Sequence, residues 1–120
     1  MKRFEGKVVF VTGGGAGIGK ATCLRFASEG AAVVVAEINP ETGIGTVDEI
    51  GAAGGRALFV RTDVADEPSI IAAVEKTVAT FSRIDILVNN AAIFVLKGLD
   101  GTPDDWRKAL DVNVMGPALV

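Results

Sequence analysis

Four short apolar runs punctuate the chain: KVVFVT (7–12), AAVVVAE (31–37), RALFVRT (56–62) and DILVNN (85–90). They are rich in Val, Ile and Phe, and they are continuous rather than alternating. That pattern suits strands covered on both faces, as in a parallel sheet. The stretches between them have helical period. Residues 17–29 place Cys23, Leu24, Phe26 and Ala27 on one side, with Thr22, Arg25 and Glu29 opposite. In 67–82, Ile70, Ile71, Val74, Val78 and Phe81 recur at three- and four-residue spacing behind a cap at Asp66. The stretch 40–53 is a weaker helix, since Gly43, Gly45 and Gly51 each cost about 1 kcal/mol against Ala. A last helix is expected to start near Thr102-Pro103, with Thr as cap, Pro at the first position, and Asp104-Asp105 at the positive end of the dipole. The order β-α-β-α-β-α-β-α predicts the α/β class: a right-handed, doubly wound parallel sheet in one domain, 1–120. The outer edge of the fourth strand is expected to be bare.

Composition narrows the function. A formal charge of −3 without a basic cluster argues against a nucleic-acid partner. No apolar run approaches the roughly 18 residues of a membrane span. The start, MKRFEGK, has no apolar segment behind its basic residues and so no signal peptide. With a single cysteine as well, the chain reads as cytoplasmic. Cys23 is expected to be a small core residue, and Trp106 and Leu110 the core face of the last helix. No metal site is assigned. His and Tyr are both absent, so neither a histidine base nor a tyrosine acid comes from these 120 residues.

VTGGGAGIGKA (11–21) falls where the first strand ends and the first helix begins. Glycines there let the backbone approach a phosphate, and the helix N-terminus offers free N–H groups and partial positive charge. A nucleoside-triphosphate loop is one reading: Gly14, Gly19 and Lys20 fit G-x-x-x-x-G-K. Ala21, however, stands where a Ser or Thr hydroxyl should hold Mg²⁺. A dinucleotide fold is the other, although strict G-x-G-x-x-G spacing occurs nowhere. What fits is T-G-x-x-x-G-x-G, as Thr12, Gly13, Gly17 and Gly19. Here the chain resembles the short-chain dehydrogenase/reductase family, whose cofactor half is a Rossmann-type fold.

The remaining marks of that resemblance follow in order. Glu37 ends the second strand; its carboxylate can accept from the adenosine ribose hydroxyls and would repel a 2′-phosphate, which favours NAD(H) over NADP(H). The family more often has Asp there. Asp63 and Val64 stand where the family recognises the adenine ring. NNAA (89–92) resembles the family's N-N-A-G, with Ala92 departing from the usual Gly. The resemblance thus implies a cofactor site of Thr12, Gly13, Gly15, Gly17, Ile18, Gly19, Glu37, Asp63, Val64, Asn90 and Ala91. It aligns Asn113 with the family's catalytic-helix asparagine, whose backbone carbonyl holds a water of the proton relay. Pro117 lacks the N–H that would bond that carbonyl in a continuous helix. The family's Ser and Y-x-x-x-K normally come later, so DVNVMGPALV (111–120) reads as the interior of a longer chain, cut within a helix. The implied activity is hydride transfer between NAD and a small alcohol or ketone, by a homodimer or homotetramer. These 120 residues alone are expected to be inactive. A complete, non-catalytic nucleotide-binding module is the competing reading.

Overall fold

The computed structural model describes residues 2–91 together with residues 103 and 104. Strands β1 (Val8–Thr12), β2 (Ala32–Glu37), β3 (Arg56–Arg61) and β4 (Ile86–Val88) alternate with helices α1 (Gly17–Ser28), α2 (Pro40–Ala52) and α3 (Glu67–Phe81). All strands are parallel, in the order β3-β2-β1-β4. The architecture is therefore the predicted doubly wound sheet, with element ends within two residues of those read from the sequence. Pro103 and Asp104 are helical. The rest of the expected last helix, including Trp106, Leu110, Asn113 and Pro117, lies outside the described residues, as does Ala92.

Side chains of a strand alternate between faces, so each central strand feeds two cores. Val9, Val11, Val33 and Val35 pack with Cys23, Ala27 and Ile50 from α1 and α2. Val8, Phe10, Val34 and Ala36 pack on the other face with Ala73 of α3. Complete burial on both faces holds only for β1 and most of β2; β3 and β4 are at most half-buried. Those two strands flank the sheet, and among the described residues each pairs on one side only.

Three local expectations need correction. Glu29, assigned to the outer side of α1, is buried. The N-terminal segment crosses the end of α1, with Phe4 N–H donating to Glu29 O at 2.9 Å and the Phe4 ring edge-on to Phe26. Arg3 and Arg25 both close on the Glu29 carboxylate. Asp66 does occupy the N-cap position of α3, but its side chain makes no cap bond. The turn is held instead by Ser69 Oγ, which accepts from Asp63 N–H, and by Asp63 Oδ1, which accepts from Ala65 N–H. On α3 the buried seam is Ile70, Ala73 and Thr77, whereas Ile71 and Val78 are about half exposed.

Helix α2 forms despite its glycines because its start is well made. Asn39 accepts from Glu41 and Thr42 N–H groups, and Pro40 needs no partner for a missing N–H. Gly43 lies under the Phe59 ring of β3, where a Cβ would overlap the ring. Nothing in the structure explains Gly45 or Gly51.

Candidate functional site

The sheet reverses its winding between β1 and β4: the chain runs outward from β1 through β2 to β3, then crosses back to the far side of β1. In open α/β sheets such a switch point leaves a crevice beyond the carboxyl ends of the strands. The glycine turn, residues 13–16, occupies that place. Gly13 adopts φ +69° and Gly17 φ +56°, left-handed values that residues with a Cβ adopt at a cost. Gly19 is required for a different reason: a Cβ there would overlap the Gly13 carbonyl and the Asn90 amide. The first turn of α1 is thereby pressed against the end of β1.

Helix α1 begins at Gly17 behind Ala16, which supplies no side-chain cap and leaves the leading N–H groups of the helix unspent. Ile18, on that first turn, is 80% exposed, an apolar side chain held at the mouth. Thr12, 1% exposed, ties the end of β1 to the end of β4. Its Oγ1 accepts from Asn90 N–H and Ala91 N–H, both at 3.0 Å, and donates to Val88 O at 3.4 Å. Asn90 Nδ2 reaches back to Gly13 O at 3.1 Å. A buried threonine and an amide thus fix β4's end against the glycine turn.

On the other side of the turn, Glu37 Oε1 accepts from Gly15 N–H at 3.0 Å and Oε2 from Asn39 N–H at 3.1 Å. Among the described residues Glu37 makes no ion pair, so no cation offsets its charge. Asp63 and Val64 lie one strand further out; Thr62 N–H donates to Glu37 O at 3.0 Å, continuing the alignment past the strand ends. The Asp63 carboxylate is engaged by Ala65 N–H, and the Val64 side chain is buried, leaving its backbone as the part able to face a ligand. All of the predicted site residues within 2–91 stand at this one end of the sheet. Asn113 alone lies outside the described residues. Lys20 Nζ pairs with Glu49 Oε2 on α2 at 2.8 Å, and Ala21 beside it has no hydroxyl, so the triphosphate-loop reading lacks both of its ligands.

Two groups at this site carried no mark in the sequence reading. Asn39 caps α2 and presents its N–H to Glu37; the Asn-Pro pair opening a helix was a legible signal for it. Thr46 hydrogen-bonds the glycine turn from within α2. A β-branched polar residue inside a glycine-rich helix gave no sign of that.

A bare glycine backbone, an uncapped helix start and an acidic strand end, gathered at a switch point, define a dinucleotide-binding α/β protein. The chain belongs to the short chain dehydrogenase family, whose family model matches residues 7–120. It is 40% identical over 112 residues to a 7alpha-hydroxysteroid dehydrogenase of Escherichia coli, covering 93% of this chain and 44% of that one. A short chain dehydrogenase/reductase from Burkholderia phymatum, solved in complex with NAD, superposes with a TM-score of 0.94 at 35% identity, covering 99% of this chain and 43% of that one. A blue fluorescent protein from a metagenomic library, solved with NADPH, superposes at 0.89 and 36% identity, with 97% and 49% covered. The chain spans about half the length of the curated relatives it matches. Among the described residues no helix is long and apolar enough to cross a membrane.

Proposed function

We propose that residues 1–120 form the NAD(H) site of an oxidoreductase that moves hydride between NAD and an alcohol or ketone carbon. The single observation that carries the choice of cofactor is Glu37. Its carboxylate stands beside the glycine turn with no cation paired to it among the described residues, able to accept from ribose hydroxyls and repellent to a 2′-phosphate. Structures of the same fold have been solved with NAD and with NADPH, so on this reading the choice falls to a side chain rather than to the fold.

The nicotinamide, when bound, supplies or accepts the hydride. The residues present fit such a group: the open N–H groups of α1 suit a pyrophosphate, and at Gly17, where an added Cβ would meet nothing within 4 Å, the helix start faces open space with no side chain in the way. Ile18 offers apolar cover, Asp63 and the Val64 backbone an edge for adenine, and Asn90 and Ala91 a brace beside the ribose. Asn113 would hold a relay water through its backbone carbonyl. The proton itself needs a donor absent from these residues, which contain no Tyr and no His. On the family's mechanism it comes from a tyrosine outside them, and the 120 residues alone bind cofactor without turnover. A small-molecule substrate, a homo-oligomeric full-length protein and a cytoplasmic setting belong to the same reading.

The test is a titration of the full natural chain, wild type and Glu37→Ala, with NADH and with NADPH. The wild type is expected to prefer NADH, and the variant to lose about tenfold of that preference, the equivalent of one charged hydrogen bond. A preference unchanged in the variant overturns the role of Glu37; failure to bind either nucleotide overturns the site.

A further inference from the structure

The peptide unit joining Gly14 to Gly15 is gripped by two side chains at once. Thr46, in the second turn of α2 and 1% exposed, donates from Oγ1 to Gly14 O at 2.9 Å. Across the same peptide unit, Gly15 N–H donates to Glu37 Oε1 at 3.0 Å. A trans peptide points its C=O and N–H in opposite directions, so fixing one fixes the aim of the other. Two successive glycines impose little torsional preference of their own; the side chains must supply it. The other acceptor near Thr46 Oγ1 is Thr42 O at 3.3 Å, the ordinary back-bond of a helical threonine. A hydroxyl has one proton to give, and the shorter contact is to Gly14.

We propose that Thr46 is a positioning residue for ribose recognition: through the Gly14–Gly15 peptide it holds the Glu37 carboxylate in the orientation that selects NAD(H). The inference rests on the reading of Glu37 given above. Without the hydroxyl, the buried Gly14 carbonyl loses its donor and the peptide can turn. A carbonyl oxygen then faces the carboxylate where an N–H stood, and like partial charges push Glu37 out of place.

The test uses the full natural chain carrying Thr46→Val, which keeps the shape of the side chain, with Thr46→Ser as the variant that restores the hydroxyl. NADH and NADPH are titrated separately, and melting is followed in parallel. Thr46→Val is expected to weaken NADH binding about fivefold, the worth of one buried hydrogen bond, while NADPH binding stays within about twofold, so the ratio falls. Thr46→Ser is expected to return the ratio to that of the wild type. Thr46→Ala carries the same expectation should the valine variant fail to fold. A merely structural threonine would weaken both nucleotides together and leave the ratio alone. That result, with Glu37→Ala still lowering the ratio, overturns the inference about Thr46 only. If Glu37→Ala also leaves the ratio unchanged, the reading of Glu37 falls and this inference with it.

Discussion

Two glutamates, one at each end of the sheet, have opposite surroundings. Glu29, at the closing end of α1, receives two guanidiniums, from Arg3 and Arg25, and is 5% exposed. Those partners hold its carboxyl well below the usual range, at about 2. Glu37, at the end of β2, receives only two backbone N–H groups and no cation among the described residues. The first carboxylate has its charge cancelled and fastens the N-terminal segment to α1. The second is oriented but not neutralised, and its charge stays available to a ligand. If Glu37 reads the ribose as proposed, a carboxylate that locks a fold and one that reads a molecule differ in what donates to them.

Variants at the two ends test that division. The largest effect is expected for Gly19→Ala, where the added methyl meets the Gly13 carbonyl and the Asn90 amide. Such overpacking should cost about 3 kcal/mol in denaturant unfolding and abolish NADH binding. A variant that binds NADH normally would show that α1 need not approach β1 so closely. Next comes Glu37→Ala, with its tenfold loss of nucleotide preference but a melting temperature close to wild type. A large fall in melting temperature would assign Glu37 to the fold and erase the contrast.

Glu29→Gln should show the reverse pattern, visible as a pH effect. A carboxyl whose pKa is depressed by folding stabilises the fold above its unfolded value, near 4.5, and loses that contribution as pH falls toward about 2. Wild-type unfolding between those values should therefore steepen with acid, and the variant's profile should be flatter, with its NADH preference unchanged. Equal acid slopes would remove Glu29 from the account. The smallest effect concerns Cys23. Burial pushes its thiol up to about 12, so a maleimide at neutral pH should label it only in denaturant. Labelling of the native protein would mean that α1 lifts from the sheet far more readily than its packing implies.

The sequence made the sheet legible because continuous Val-rich runs have few other uses, and their order admits few topologies. The gathering of the glycine turn, Glu37 and Asn90 at one end of the sheet was legible because each directly follows or ends a strand, and parallel strands bring their carboxyl ends together. What escaped were features set by distant chain. Helical spacing placed Glu29 outward correctly for an isolated helix, and only the crossing of residues 3–7 buries it. The spacing of Ile71 and Val78 matched a helix face, yet the seam that meets the sheet runs through Ala73 and Thr77. Thr46 was hidden for the same reason: its partner, the Gly14 carbonyl, is 32 residues away.

The pairing of β1 with β4 has a kinetic consequence. Val9 meets Val33 of β2 and also Ile86 of β4, so the second partnership closes a loop about three times longer, at an added entropic cost of about 0.6–1 kcal/mol. It is also shorter, three residue pairs against five. The β1–β2–β3 unit is therefore expected to assemble first, and the crevice to exist only once β4 docks. Amide exchange would read this directly: Asn90 and Ala91, anchored on Thr12, should open more often than Val33 and Val34. Cofactor binding, by bridging the two halves, would then act as a clasp on the last step of folding.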